Sequence, residues 1–122
     1  MDIYREEILD HYKNPRNFGE IKQASGQAID RNASCGDVIS MSLRVVKDKI
    51  KEVKFKGEGC AVSMASASML TEMVKGKKVS QVKKIKDEEI IKRLGINISS
   101  GRKKCATLGL VALKKALENY ED

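Results

Sequence analysis

Apolar positions along this chain change their period from segment to segment, and each change marks an element. Between Asp2 and Lys13 the apolar residues Ile3, Tyr4, Ile8, Leu9 and Tyr12 recur at helical spacing. Asp2 is placed to cap that helix, and Asn14-Pro15 ends it, because a residue before proline avoids the helical region. Arg16-Asn17-Phe18-Gly19 reads as a turn. From Ser25 onward the pattern is extended. Ile39, Met41, Leu43 and Val45 alternate with Ser40, Ser42 and Arg44, the period of a half-buried strand. Lys47-Asp48-Lys49 connects this run to a second, Ile50 to Lys56, with Val53 and Phe55 pointing one way. A preceding strand from Gln27 to Asn32 completes a small antiparallel sheet.

After Gly59 the period returns to that of helices. Ala61 to Val74 is rich in Ala, Ser and Met, and Gly76 is placed to terminate it. Short helices are predicted over Ser80–Ile85 and Asp87–Leu94, the second capped by Asp87. A last helix runs from Gly101 to Tyr120 with Ser99 or Ser100 as its cap, burying Leu108, Ala112, Leu113, Ala116 and Leu117 and turning Lys114 and Lys115 outward. Strands come first and helices mostly after. That order predicts an α+β fold, a three-stranded antiparallel sheet with one N-terminal helix and several C-terminal helices packed on it.

Length and composition narrow this little further. A chain of 122 residues is expected to form one domain with its own core. No apolar run reaches the length of a membrane span, and the acids within MDIYREEILDHYKN argue against a secretory signal. The expected compartment is the cytoplasm. The net charge of +7 raises nucleic acid as a partner. Yet the lysines are dispersed, and five aromatics with no Trp offer little stacking surface, so nucleic-acid binding is not expected.

The cysteines change the picture more. There are three, Cys35, Cys60 and Cys105, an odd and sparse set that reads as reduced thiols rather than a disulfide framework. Each lies at a junction between predicted elements: Cys35-Gly36-Asp37 between two strands, Gly57-Glu58-Gly59-Cys60 before the long helix, and Cys105 in the first turns of the last one. Junctions of this kind gather at one end of a sheet. Helix N-termini and neighbouring lysines such as Lys104 favour thiolate, the form that binds metal or attacks sulfur. Three thiolates with Asp37 as a fourth donor suit zinc, or an iron–sulfur cluster whose one oxygen ligand is more exchangeable than sulfur. No CxxC pair is present; a cysteine taken alone is more often a small buried side chain than a ligand, and Asp37 alone could equally be a turn residue. His11, the one histidine, is expected on the surface or in packing rather than as a ligand.

The motifs taken together carry a resemblance. His11-Tyr12-Lys13-Asn14-Pro15-Arg16-Asn17-Phe18-Gly19, then Cys35-Gly36-Asp37, Gly57-Glu58-Gly59-Cys60 running into Met64-Ala65-Ser66-Ala67-Ser68, and Lys104-Cys105-Ala106-Thr107-Leu108 closely resemble the NifU-N/IscU/SufU scaffold proteins. The resemblance implies a single domain of that kind over residues 1–122. It implies a transient [2Fe–2S] cluster, or zinc or iron, held by Cys35, Asp37, Cys60 and Cys105. The implied partners are a cysteine desulfurase of the IscS/SufS/NifS kind, delivering sulfur as persulfide, and iron–sulfur acceptor or carrier proteins. The implied state is a monomer or a cluster-bridged dimer, without nucleic acid or membrane.

Under this reading the chain is a scaffold rather than an enzyme. The alternative is a SufU-like, zinc-dependent sulfur acceptor that activates a desulfurase. Lys104 stands where IscU proteins commonly have histidine, and the wording around Cys60 and Cys105 is SufU-like. The 45 positions from Cys60 to Cys105 are IscU-like in length, and the chaperone-recognition stretch Leu-Pro-Pro-Val-Lys is missing. Cys105 and Cys35 are the candidate persulfide acceptors, with helix position and Lys104 favouring Cys105.

Overall fold

Strand β2 (Asp37–Val46) is the middle of a three-stranded antiparallel sheet, with β1 (Gly26–Asn32) and β3 (Lys49–Glu58) on either side. The structure is a computed structural model that describes residues 3–118 and 120, so the cap expected at Asp2 lies outside the described residues. The alternation that predicted β2 sets its packing. Ile39, Met41, Leu43 and Val45 are buried with Val53 and Phe55 of β3, while Arg44 is exposed. The β2–β3 connection is tighter than expected. Val46 pairs with Lys49, and Lys47 and Asp48 both adopt positive φ (51° and 63°), as a two-residue hairpin turn requires. At the other end β2 begins at Asp37 and β3 continues to Glu58, so the sheet reaches the junctions that carry Cys35 and Cys60.

Among the described residues, five α-helices complete the fold: α1 (Ile3–Lys13), α2 (Ala61–Val74), α3 (Val79–Lys83), α4 (Asp87–Leu94) and α5 (Lys103–Glu118), the last preceded by a 3₁₀ turn (Ser100–Arg102). Helices α2 and α5 cover the apolar face of the sheet. Every residue of α2 from Ser63 to Thr71 is buried, which small side chains permit by letting neighbours approach from several sides. Gly109 of α5 shows how close that approach is: a Cβ there would stand 3.2 Å from the Ala67 Cβ. Leu108, Ala112, Leu113, Ala116 and Leu117 form the buried face of α5, and Tyr120 lies beyond the helix against the same core.

Two expectations need correction. Helix α1 does not pack on its apolar stripe: Ile8 and His11 are its buried residues, while Ile3, Tyr4, Leu9 and Tyr12 are exposed. His11 is tolerated inside because its Nδ1 lies 2.7 Å from the Ser68 hydroxyl, which also accepts the Arg16 backbone N–H at 2.9 Å. Burial, and then the nearby Arg16 charge, hold its pKa below the ordinary 6.5, so it is a neutral packing histidine. The second correction concerns caps. Asp87 sits inside the first turn of α4, and the capped residue is Lys86, whose backbone N–H donates to Glu89 at 3.2 Å. At α5 the 3₁₀ turn replaces a side-chain cap, and Ser99 makes no capping bond. Among the described residues, no helix is long and apolar enough to cross a membrane.

Candidate metal centre

The three cysteine-bearing junctions meet at one end of the sheet. Cys35 lies on the exposed turn between β1 and β2, where Gly36 takes a left-handed φ of 76° and its N–H closes on the Asn32 carbonyl at 2.8 Å. Asp37 follows as the first residue of β2. Cys60 is the N-cap of α2, and Cys105 is a buried residue in the first turn of α5, 3% exposed. All four line a cavity of ≈ 330 Å³ whose wall also includes Glu58 and Arg102.

Within it the Cys35 and Cys105 Sγ atoms are 3.4 Å apart, and Cys35 Sγ is 3.1 Å from Asp37 Oδ2. The donor atoms of Cys35, Asp37 and Cys105 all lie within 4.8 Å of one another. Cys60 stands further out, its Sγ 3.9 Å from Asp37 Oδ2 and outside that compact group. Two thiolates on one tetrahedral zinc, with bonds of about 2.3 Å, are about 3.8 Å apart. The Cys35–Cys105 pair is already near that spacing, and the Cys60 thiol lines the same cavity. The donor set fits a soft metal or an iron–sulfur cluster.

Asp37 is the best-anchored of the four. Its Oδ1 accepts the Cys60 backbone N–H at 3.1 Å, at the amino end of α2, and its Oδ2 accepts the Ser63 hydroxyl at 2.6 Å. Burial opposes its ionisation, but the hydrogen bonds from Ser63, from the Cys35 and Cys105 thiols and from the Cys60 N–H outweigh it. The carboxyl is therefore held below its ordinary 3.8.

Cys105 goes the other way. Burial, hydrogen bonding to Cys35 and Asp37, and the neighbouring negative groups push its thiol up to about 12. This overturns the expectation that helix position and Lys104 favour the Cys105 thiolate. Lys104 lines a neighbouring cavity with Asp30 and Asn32 rather than the one that holds the thiols.

Ser63 and Asn32 reach the candidate site and were missed by sequence reasoning, while Gly59, read there as part of the glycine approach to Cys60, has a closer role. Ser63 is fully buried and reaches both the Asp37 carboxylate and, at 3.1 Å, the Cys105 carbonyl. Asn32 ties the Cys35 turn to α5, accepting the Ser34 N–H at 3.1 Å and donating toward Cys105 Sγ at 3.8 Å. A Cβ on Gly59 would stand 2.8 Å from Asp37 Oδ1, so the carboxylate fills the space that this glycine leaves. Of the two missed residues, only Ser63 carried a usable signal. It lies three residues after Cys60, the spacing at which an N-cap and a third helical residue share one face.

Cys35, Asp37 and Cys105, with Cys60 beside them, form a candidate metal site at the sheet end of an α+β frame. The chain's relatives make the class specific. Residues 3–122 match the NifU-like N terminal domain family, and the chain belongs to that family. It is 35% identical over 118 residues to an iron–sulfur cluster assembly scaffold protein, IscU 1 of Archaeoglobus fulgidus, covering 97% of this chain and 76% of the relative. It is 37% identical over 137 aligned positions to the zinc-dependent sulfurtransferase SufU of Bacillus subtilis, covering 98% and 92%. That match is longer than the 122-residue chain, so SufU carries residues with no counterpart here. Among solved structures, a candidate SUF-system scaffold protein of Fervidobacterium islandicum superposes with a TM-score of 0.75 at 30% identity, covering 92% of this chain and 94% of that one.

Proposed function

We propose that this protein is a scaffold on which iron and sulfide are assembled into a [2Fe–2S] cluster, held by Cys35, Cys60, Cys105 and Asp37 and then handed on. The observation that carries this reading is the donor set itself. Three thiols converge on a cavity whose fourth donor is the carboxylate of Asp37, an oxygen that iron exchanges more readily than thiolate. A cluster is cargo for such a site.

Sulfur enters as a persulfide from a cysteine desulfurase in the cytoplasm. Cys35 is the acceptor, because its thiol is exposed on a turn while Cys105 is buried beneath it. The Cys35 sulfur bonds the terminal persulfide sulfur, the donor S–S bond breaks, and the desulfurase cysteine leaves as thiolate. Two electrons per sulfur from an external reductant then yield sulfide, and an acceptor or carrier protein takes the finished cluster. Anaerobic incubation with ferrous iron, a sulfide source and reductant is expected to give cluster-type visible absorption. A variant with all three cysteines changed to alanine that still develops it would overturn the reading.

A second reading has one observation in its favour, the identity with a zinc-dependent sulfurtransferase. There the same four residues hold zinc, which keeps the thiols ionised, and the protein accepts sulfur and raises desulfurase turnover. It predicts stoichiometric zinc in the protein as isolated and stimulation of a desulfurase that disappears with Cys35→Ala. Absence of both effects removes it.

A further inference from the structure

Ser63 is the one fully buried hydroxyl, among the described residues, that touches a proposed metal ligand, and its surroundings are unusual. It has a single hydrogen to donate and two acceptors within reach: Asp37 Oδ2 at 2.6 Å and the Cys105 backbone carbonyl at 3.1 Å. Oδ2 is also the oxygen that faces the thiols of Cys35 and Cys60, and so the one presented to a metal. The other oxygen is fixed separately, by the Cys60 backbone N–H at 3.1 Å, and the glycine at position 59 leaves just enough room for the carboxylate.

We propose that Ser63 is a positioning residue that governs how readily Asp37 lets go of metal, by passing its hydrogen bond between the Asp37 carboxylate and the Cys105 carbonyl. When the site is metal-free, the charged carboxylate is the stronger acceptor and takes the hydrogen. When a cation draws on Oδ2, that oxygen becomes a poorer acceptor and the hydroxyl turns to the neutral carbonyl. Neither state strands a buried donor, a penalty that otherwise opposes any rearrangement of a buried polar group. The hydrogen bond therefore stabilises the metal-free carboxylate more than the bound one and hastens release. The orientation of Asp37 does not depend on Ser63 alone, because the Cys60 N–H holds Oδ1.

This rests on the metal-centre reading above, and cobalt(II) tests the two separately. Thiolate-to-cobalt charge-transfer absorption in the unmodified protein checks the centre itself, and its absence overturns both proposals. With the centre intact, Ser63→Ala is expected to slow cobalt release to a chelator about tenfold, the worth of one charge-assisted hydrogen bond. It should also shift the cobalt ligand-field bands while leaving the charge-transfer intensity unchanged. In an Asp37→Ala background the same substitution should change neither rate nor bands, since the hydroxyl then acts on no ligand. Faster or unchanged release in Ser63→Ala, or an effect of equal size without Asp37, overturns the role of Ser63 and leaves the metal centre standing. A purely structural role predicts that last result.

Discussion

Gly59→Ala tests whether the Asp37 carboxylate is as tightly seated as its contacts imply. The backbone at Gly59 is not left-handed, so alanine meets no conformational strain there. By itself the change would stabilise the protein by about 0.4–1 kcal/mol, by restricting the unfolded chain. Opposing this, the new Cβ would lie 2.8 Å from Asp37 Oδ1, 3.0 Å from its Cγ and 3.2 Å from the Ser63 Cβ. The carboxylate has to move, and in moving it gives up the Ser63 hydroxyl at 2.6 Å and the Cys60 N–H at 3.1 Å. Hydrogen bonds to charged groups contribute about 1.5–3 kcal/mol each, and hydration at the cavity mouth restores part of that to a displaced carboxylate. The net expectation for the metal-free protein is a loss of about 1–3 kcal/mol. Urea denaturation under reducing conditions at neutral pH measures it through the midpoint at constant slope. With Asp37→Ala already in place the two closest contacts are gone and only the Ser63 Cβ at 3.2 Å remains, so Gly59→Ala should be neutral or stabilising by up to about 1 kcal/mol. The double-mutant cycle then gives a coupling of about 1–4 kcal/mol between positions 59 and 37. Equal effects of Gly59→Ala in both backgrounds would refute the reasoning.

The pH dependence of the metal-free protein follows from three buried groups with shifted pKa values, with the exposed Asp10, held low by Arg16, adding to the acid limb. Asp37 and His11 have folded pKa values below their ordinary 3.8 and 6.5, so their contributions are complete above those values and lost as pH falls through the folded ones. Cys105 is raised from 9.0 to about 12, so its contribution is complete below 9.0 and lost as pH climbs through that window. The urea midpoint should therefore plateau between about 6.5 and 9, and Cys105→Ala should flatten its alkaline limb. Sulfur loading from a desulfurase, followed by mass spectrometry, should place persulfide on Cys35 in the unmodified protein and abolish it in Cys35→Ser. Cys105→Ser should still accept it, and the reverse pattern would contradict the exposure argument. Gly109→Leu should force α2 and α5 apart at the Ala67 contact, costing about 1–3 kcal/mol by overpacking. Because those helices carry Cys60 and Cys105, zinc retention should weaken with no donor removed.

Elements with a strong local period were legible in the sequence, and the contacts between distant elements were not. The alternation from Ile39 to Val45 and the run of small residues from Ala61 describe β2 and α2 because burial imposes those periods directly. Helix α1 misled. Its stripe from Ile3 to Tyr12 is apolar, yet the packed face includes His11, whose partner Ser68 is 57 residues away. The site was half legible for the same reason. Residue types and junction positions marked Cys35, Asp37, Cys60 and Cys105 as candidates. What no local pattern conveys is that Asp37 bonds Ser63 across 26 residues, that Asn32 reaches Cys105 across 73, or that burial raises the Cys105 thiol against the pull of its helix.

The placement of Asp37 bears on how such a centre can both load and release. A carboxylate waiting free in solvent would offer a metal its full affinity. Here the carboxylate already holds the amino end of α2 through the Cys60 N–H and is bonded to Ser63, so a metal competes with the fold for its charge. In the proposed scaffold, the affinity of the fourth position is lowered by whatever those protein partners contribute, and the metal-free protein is stabilised by the same amount. Cys105, protonated and buried beside Cys35, adds to that effect, since it must give up its proton before it can bind. A resident structural metal would gain nothing from ligands that are stable without it. Cargo that must leave intact does, because the ligands it vacates have protein partners waiting and the empty site does not unravel.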